Sequence, residues 1–286
     1  MDELQVESEA WAQGWGLDLV DGEFARTRCG WLAAHVYPLA ERPLLQLAAD
    51  LIGWLFLFDD YEGEARDAVR LKRTSESCLH ILRTGALPEE PHGATRFEHA
   101  LVDLRGRLLG LSDDAFVLQF ARSMAKFHAG WLMELPYRLC GSPPTLDTYR
   151  RIRPWSIGIH TVFDLLEIST GRPREETRER LEDLYNQAGL AAGLCNDIHS
   201  FAKERDANDP MNIIIVLAYE YGQSLADAAQ TAATEYEFQL TRLEEMCAQV
   251  SEEAAFTRPE ALIAQGLRIW VHGATAWTST CGRYHA

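Results

Sequence analysis

The sequence lacks a hydrophobic run long enough to cross a membrane. Its longest apolar stretches are LIGWLFLF at 51–58 and IIIVLAY at 213–219, and both are far shorter than the roughly 18 residues that a membrane-spanning helix needs. The first residues, MDELQVESEAW, are acidic and carry no basic and apolar leader of the secretory type. We therefore expect a cytoplasmic protein without an integral membrane segment.

Positive charge and paired cysteines are also scarce. Only 27 lysines and arginines stand against 43 aspartates and glutamates, which gives a formal net charge of −16. Because Lys and Arg provide much of the affinity of proteins for nucleic acid, nucleic acid is not an expected partner. The 6 cysteines include no CxxC spacing, so we expect reduced thiols that pack in the core rather than disulfides or a zinc site.

The sequence shows no convincing alternating strand pattern, internal repeat or low-complexity linker. Breaks rich in proline and glycine, such as LPEEPHG at 87–93 and CGSPP at 140–144, separate stretches in which apolar residues recur every three or four positions. This spacing is the period of an α-helix. The pattern predicts an all-α protein, a single domain spanning residues 1–286 with about ten helices.

Three oxygen-bearing side chains follow one another at intervals of four in NDIHSFAKE. Asn196, Ser200 and Glu204, which we call the polar triad, share one face of a helix because helical residues advance by about 100° each. Amide, hydroxyl and carboxylate oxygens suit Mg²⁺, which usually also takes waters and substrate phosphates as ligands. These residue types are common on exposed helix surfaces, so the triad indicates a metal site only if a second element supports it.

The second element is an acidic segment, residues 59–64, at the end of the longest apolar run. It contains Asp59, Asp60, Glu62 and Glu64. Adjacent carboxylates at the end of a buried helix repel each other and lose hydration, which is unfavourable unless a cation compensates. A solvated helix end is the alternative. The apolar residues directly before Asp59 favour a segment that enters a core and binds metal.

Arginines are concentrated in two places in this acidic chain. They are Arg150, Arg151 and Arg153 in TYRRIRPWSIG, and Arg283, beside Tyr284, near the end of the sequence. In the first group, Pro154 and Gly158 are expected to break or loosen the helix. Arginine matches phosphate oxygens with two parallel hydrogen bonds, so arginines together with metal-binding carboxylates predict a diphosphate site.

These elements together resemble the class I terpene synthases of bacterial type, in order and approximate spacing, over nearly the whole chain. The NDxxSxxxE pattern is matched in full and is the most specific part of the resemblance. The resemblance implies a helical bundle around a central cavity, three Mg²⁺ ions, and an isoprenoid diphosphate substrate that is ionised and cyclised to a terpene. Dimers are common in the family, so a homodimer is one expected form of the protein.

The resemblance also assigns a role to each motif residue. The residues matched to metal binding are Asp59, Asp60 and Glu64 in the first motif, and Asn196, Ser200 and Glu204 in the second. The residues matched to diphosphate binding are Arg153, which is expected to sense the diphosphate, Lys203, Arg283 and Tyr284.

Two departures from the family's pattern leave assignments open. Gly63 stands where the family commonly has aspartate, so metal ligation by Glu64 is not settled by the motif. Arginine is frequent in the family where this chain has Pro154, so Arg150 and Arg151 stay alternatives to the sensing arginine.

Aromatic and small residues near these motifs suggest where a hydrocarbon chain lies. An aromatic face stabilises a nearby cation by about 0.5–2 kcal/mol, and the spacing makes Phe56 and Trp277 our candidates for the cavity wall, with core packing as the alternative. The stripe that contains Trp277 also contains Trp270 and Tyr284. A strip of small residues before Asn196 either leaves room for substrate or allows close helix contact; it consists of Ala188, Gly189, Ala192 and Gly193.

Several alternatives for the function remain at this point. Farnesyl diphosphate is the commonest family substrate and is favoured, but geranyl or geranylgeranyl diphosphate needs only a different cavity volume. A prenyl diphosphate synthase shares the fold and metal chemistry, but that group has two DDxxD motifs and this chain has none. A helical binding module without enzyme activity explains the helices and the acidity, but not the three distant polar elements.

Overall fold

A computed structural model describes residues 1–17, 22–63, 65–89, 95–253 and 256–283, and these residues form an all-α structure without strands. A π-helical turn, Asp59–Gly63, follows the fourth α-helix, and a short 3₁₀ turn, Glu175–Thr177, precedes the tenth. The α-helices in these ranges are α1 (Asp2–Gly14), α2 (Glu23–Thr27), α3 (Cys29–Val36), α4 (Arg42–Phe58), α5 (Ala68–Thr84), α6 (Arg96–Leu111), α7 (Asp114–Cys140), α8 (Leu146–Ser156), α9 (His160–Thr170), α10 (Arg178–Asp206), α11 (Ile213–Tyr221), α12 (Leu225–Glu252) and α13 (Arg258–Thr278).

The all-α class predicted from the sequence is confirmed, and short helices raise the number of helices above the expected ten. The shortest is α2, with 5 residues. It is separated from α3 by Arg28, whose φ of 48° is left-handed and interrupts what would otherwise be one helix. Within the described ranges, no helix is both long enough and apolar enough to span a membrane.

Local sequence features explain the burial of α4 and the two ends of α7, both of which contribute to the cavity described below. Helix α4 is buried along most of its length, as its uninterrupted apolar run requires. Helix α7 begins where Asp113 accepts a hydrogen bond from the backbone N–H of Phe116 at 2.8 Å, and it ends at Gly141 with a φ of 68°. These are a side-chain N-cap and a left-handed C-cap.

The helix that carries the arginine cluster ends two residues after Pro154, where the sequence led us to expect a break. Helix α8 continues through Pro154 and ends at Ser156, and the chain turns at Gly158, where φ is 73°. A Cβ atom at Gly158 would lie 2.9 Å from the ring of Phe127. Glycine is therefore required at this turn by both backbone conformation and space.

The cysteines are free thiols, as the absence of paired spacings predicts. Five of them are buried and pack in the core, but Cys140 is exposed at the end of α7. The packing interpretation is therefore wrong for Cys140, because α7 extends beyond the core at its last turn.

Candidate functional site

A cavity opens between α4, α7, α8, α10 and α13. Including its open mouth it encloses about 1150 Å³. The apolar part of its wall includes Leu32, Ile52, Leu55, Phe56, Phe127, Val162, Trp270 and Trp277. The polar part includes Asp59, Asp60, Arg138, Arg153, Asn196, Ser200, Lys203, Glu204, Asp209 and Arg283. One cavity thus offers an apolar surface to a hydrocarbon and a charged surface to its polar group.

The acidic segment and the polar triad, far apart in the sequence, both reach this cavity. Asp59 and Asp60 belong to the π-helical turn after α4, whereas the triad lies on α10. A direct contact joins the two sides, since Lys203 Nζ lies 2.8 Å from Asp60 Oδ1. The structure therefore brings together the two predicted metal-binding motifs.

Asp59 is half-buried in the turn after α4, where it contacts α7. Its Oδ1 accepts a hydrogen bond from Trp131 Nε1 at 2.8 Å. Burial, and next the neighbouring Asp60 carboxylate, raise the pKa of Asp59 to about 7. A partly buried acid of this kind ionises more readily when a cation binds beside it.

Gly63 closes the same turn against α7, which explains why this chain departs from the family's aspartate. A Cβ atom at this position would lie 2.5 Å from the indole of Trp131 and 2.6 Å from Asp59 Oδ1. No side chain fits there without displacing one of the two. The departure is therefore a packing requirement of this chain.

The pKa of Asp60 is shifted in the opposite direction from that of Asp59. Burial alone would raise the pKa of Asp60, but Arg283, and then Lys203, outweigh it and lower the pKa. Arg283 binds both carboxylate oxygens, at 2.8 and 2.9 Å. Asp60 is thus an ionised carboxylate that binds two of the three predicted diphosphate-binding cations at the cavity.

The polar triad is held in position by hydrogen bonds on both sides. Ser200 Oγ lies 2.7 Å from Glu204 Oε1, and the other oxygen of Glu204 accepts from Asn212 Nδ2 at 2.8 Å. Asn196 Oδ1 accepts from Arg153 Nη2 at 2.9 Å. Asn212 also caps α11, and its place before the apolar run IIIVLAY is the sequence signal that identifies it as a cap.

Arg153 is the arginine of its cluster that faces the cavity. Arg150 instead pairs with Glu235 on α12 at 2.7 Å, and Arg151 is exposed on the surface of α8. Arg153 Nη2 lies 2.5 Å from Asp197 Oδ1. Sequence reasoning missed Asp197 because it adjoins the triad but lies on the buried side of α10.

Asp197 is a fully buried anchor for this arrangement. Besides Arg153 it accepts hydrogen bonds from the Tyr149 hydroxyl at 2.6 Å and from the backbone N–H of Ile213 at 2.8 Å. Burial raises the pKa of Asp197 to about 7, although Arg153 acts in the opposite direction. The aspartate therefore fixes α8 and α11 to α10 directly behind the triad.

The strip of small residues on α10 serves both purposes considered from the sequence. A Cβ atom at Gly193 would lie 2.8 Å from Cγ of Arg153, and one at Gly189 would lie 3.2 Å from the carbonyl oxygen of Pro154. These two glycines permit close contact with α8. Ala192 lines the cavity instead, where its small side chain leaves open space.

Phe56 and Trp277, the candidates for the cavity wall, both line the cavity. Their rings are stacked, with centroids 5.6 Å apart and an interplanar angle of 5°. The guanidinium carbon of Arg283 lies 4.6 Å from the centroid of Phe56, which is within the range of a cation–π contact. The aromatic wall therefore directly adjoins the side of the cavity that carries Arg283 and Asp60.

The candidate donor set fits Mg²⁺ in chemistry but is incomplete on its own. Asp59, Asp60 and the polar triad offer only oxygen ligands, as Mg²⁺ prefers. In the part of the chain that the structure describes, no group of three or more His, Cys, Asp or Glu side chains forms a metal site. A Mg²⁺ ion at these oxygens would take its remaining ligands from water or phosphate, as it usually does. Glu64 and Tyr284, two further predicted site residues, lie outside the described residues.

Comparison with known proteins adds independent information. The model of the family described as "Terpene synthase family 2, C-terminal metal binding" matches residues 50–240. A (+)-T-muurolol synthase ((2E,6E)-farnesyl diphosphate cyclizing) from Roseiflexus castenholzii is 31% identical, over 96% of this chain and 86% of its own. A (12E)-labda-8(17),12,14-triene synthase from Streptomyces anulatus is also 31% identical, over 88% of this chain and 79% of its own.

Solved structures show the same fold. The crystal structure of germacradien-4-ol synthase from Streptomyces citricolor aligns with a TM-score of 0.75 at 23% identity, covering 97% of this chain and 93% of its own. A protein from ancestral sequence reconstruction, SVS_A2, aligns with a TM-score of 0.87 at 23% identity, covering 98% and 85% of the two chains.

Proposed function

This chain belongs to the bacterial class I terpene synthases, enzymes that cyclise prenyl diphosphates, and we propose that its substrate is farnesyl diphosphate and that it requires Mg²⁺. The observation that carries the proposal is the convergence of the acidic segment and the polar triad on one cavity, joined by the contact between Lys203 and Asp60. The name of the muurolol synthase relative, which specifies farnesyl diphosphate, supports the substrate assignment.

The metal site in this proposal consists of the two oxygen-bearing elements. Bound Mg²⁺, for which three ions are expected, would neutralise the charge that develops on the departing diphosphate. The residues proposed to hold it are Asp59, Asp60, Glu64, Asn196, Ser200 and Glu204.

Arg153, Lys203, Arg283 and Tyr284 are proposed to bind the diphosphate directly. Lys203 and Arg283 now bind Asp60. A diphosphate carries more negative charge than one carboxylate, so both cations are expected to move to it and to leave Asp60 for metal. Arg153 is already held at the triad through Asn196, where it would detect the diphosphate beside the metal ligands.

The hydrocarbon part of the substrate would lie against the apolar wall. Phe56 and Trp277 present aromatic faces there, which stabilise a passing carbocation by about 0.5–2 kcal/mol each. The buried side chains around them, such as Phe127 and Val162, exclude water that would otherwise quench the cation. The cavity thus separates ionisation at its polar side from cyclisation at its apolar side.

Other features of the proposal stay predictions. A single domain spanning residues 1–286, a cytoplasmic location and a homodimer agree with the family, and size-exclusion chromatography with light scattering measures the last of these. Geranyl and geranylgeranyl diphosphate are the alternative substrates.

The test is incubation of the protein with the C10, C15 and C20 prenyl diphosphates, with and without Mg²⁺, followed by gas chromatography and a diphosphate assay. We expect cyclic products mainly from the C15 substrate and none without metal. Asn196→Ala should abolish turnover while the far-ultraviolet circular dichroism stays that of a helical protein. Turnover by this variant at the wild-type rate would show that the metal assignment is wrong.

A further inference from the structure

One guanidinium group contacts both the turn that carries Asp59 and the segment that follows the polar triad, and no motif predicts it. Arg138, near the end of α7, lines the cavity between them. Its Nη1 donates to the carbonyl oxygen of Gly63 at 3.0 Å, and its Nη2 lies 3.1 Å from Asp209 Oδ2. Gly63 ends the turn that begins at Asp59, and Asp209 follows the end of α10.

The contact with Asp209 leads directly to the polar triad. The backbone N–H of Asp209 donates to the carbonyl oxygen of Glu204 at 2.9 Å, and Asp209 Oδ1 accepts from the backbone N–H of Met211 at 3.0 Å. The next residue, Asn212, holds the second carboxylate oxygen of Glu204. Asp209 is therefore linked to Glu204 in two ways, through its own backbone N–H and through the segment that carries Asn212.

The contact with Gly63 leads to the acidic segment in the same way. Trp131 lies seven residues before Arg138 on α7, on the same face, and donates to Asp59 Oδ1. Helix α7 thus holds the turn Asp59–Gly63 at its first and last residues. Glu134, between them and 1% exposed, binds Arg138 Nη2 at 3.0 Å and keeps the guanidinium in place.

We propose that Arg138 and Asp209 are positioning residues that set the separation of the two metal-binding elements, so that metal ions shared with a diphosphate bind in one geometry. This inference rests on the proposed function. Arg138 has five N–H donors, and contacts with Glu134, Asp209 and Gly63 engage most of them. Because these contacts fix the guanidinium to elements on both sides of the cavity, we assign Arg138 to the orientation of nearby ligands, a role that partners of metal ligands commonly have.

The main test is Asp209→Asn, which places an amide donor opposite Arg138 and leaves the pair of Arg138 with Glu134 intact. Metal-free protein is titrated with MgCl₂ in the presence of inorganic diphosphate by isothermal titration calorimetry. We expect Mg²⁺ affinity to fall about tenfold or more, as for other partners of metal ligands. Amide hydrogen exchange in residues 59–63 and 209–212 should become faster in the metal-free variant. Asp206→Asn, an exposed change at the end of α10, is the matched control and should change neither.

A second variant tests the arginine itself. Arg138→Met alone leaves Glu134 buried and unpaired, which is strongly destabilising, so the double variant Glu134→Gln with Arg138→Met is used. We expect the same loss of Mg²⁺ affinity as in Asp209→Asn, and no further loss when all three changes are combined, because they remove one bridge. Arg122→Met, on the exposed side of α7, is the control.

The outcomes separate this inference from the proposed function. Wild-type Mg²⁺ affinity and wild-type exchange in Asp209→Asn would overturn the positioning role, even if the wild-type enzyme cyclises its substrate. Loss of diphosphate binding in the Arg138 variant, with Asp209→Asn unaffected, would make Arg138 a direct ligand and also overturn it. Absence of Mg²⁺-dependent diphosphate release from every prenyl substrate by the wild-type enzyme would refute the proposed function instead.

Discussion

At the scale of single residues, the two adjacent aspartates of the acidic segment show how strongly position decides chemistry. Asp59 is half-buried and has a raised pKa, because burial and Asp60 outweigh the opposing charge of Arg138, whereas Asp60 binds Arg283 and Lys203 and has a lowered one. The sequence alone does not distinguish the pKa values of these two adjacent aspartates. Their difference comes from residues that lie more than a hundred positions away.

Gly63 provides a prediction at this scale. Gly63→Ala should destabilise the protein by about 1–3 kcal/mol, because overpacking against Trp131 has to be relieved by movement. The movement displaces Asp59, so Mg²⁺-dependent turnover should fall as well. Gly106→Ala on α6 is the matched control, since nothing lies within 4 Å of its Cβ position, and this change should be neutral or slightly stabilising. Chemical denaturation and initial rates measure both effects, and equal stability of the two variants would contradict the prediction.

Asp164 on α9 provides a prediction about pH. Burial raises its pKa to about 8, although a hydrogen bond from Ser123 acts in the opposite direction. An unfolded aspartate ionises near pH 4, so between about pH 4 and 8 the folded state binds one more proton than the unfolded state. The contribution of this group to the free energy of unfolding is therefore fully present below pH 4 and is lost as pH rises, by at most about 1.4 kcal/mol per pH unit.

Asp164→Asn should remove this dependence. We expect the stability of the variant, relative to wild type, to increase by at least about 1 kcal/mol between pH 5 and pH 7. Urea denaturation at several pH values measures it. A constant difference between the two proteins across this range would show that Asp164 does not titrate with folding.

At the scale of helices, the close contact of α8 with α10 positions Arg153. Glycine to alanine normally stabilises a helix by about 0.5–1 kcal/mol, but a Cβ at Gly193 would meet the side chain of Arg153. Gly193→Ala should therefore reduce kcat by about ten- to a hundredfold through misplacement of the arginine, with little change in circular dichroism. Steady-state kinetics measures this, and an unchanged kcat would show that Arg153 has room to adjust.

Periodicity predicted what is local in these helices and missed what depends on packing. The spacing of Asn196, Ser200 and Glu204 placed them on one face of a helix, and the structure has that helix as α10. The π-helical turn after Phe58 and the extension of α8 beyond Pro154 were not predicted, since neighbouring helices decide both. The same limit explains why Trp131, Asp197 and Asp209 escaped notice, because each acts through a helix distant in sequence.

At the scale of the whole molecule, ligand binding should raise the free energy of unfolding and the Tm of the protein. Mg²⁺ with diphosphate joins α4, α10 and α13 in the proposed function and binds only the folded protein. A ligand at roughly 100 times its Kd stabilises by about 2.7 kcal/mol, which corresponds to a rise in Tm of about 5–10 °C for a chain near this size.

Differential scanning calorimetry with Mg²⁺, diphosphate, both or neither measures this rise. We expect it only with both ligands, reversal by EDTA, and its loss in Asn196→Ala. A rise of the same size in that variant would mean that the ligands bind elsewhere on the molecule.

Early and late parts of the sequence, around residues 26–27 and 277–282, are hydrogen-bonded to each other beside the cavity. Trp277 Nε1 donates to the carbonyl oxygen of Thr27 at 3.0 Å, and the backbone N–H of Gly282 donates to that of Arg26 at 3.1 Å. Arg283 follows directly. A chimera that exchanges residues 1–36 with those of a homologous cyclase would therefore shift the anchor of Arg283, and engineers who recombine such enzymes should transfer the first three helices and the last one as a matched pair.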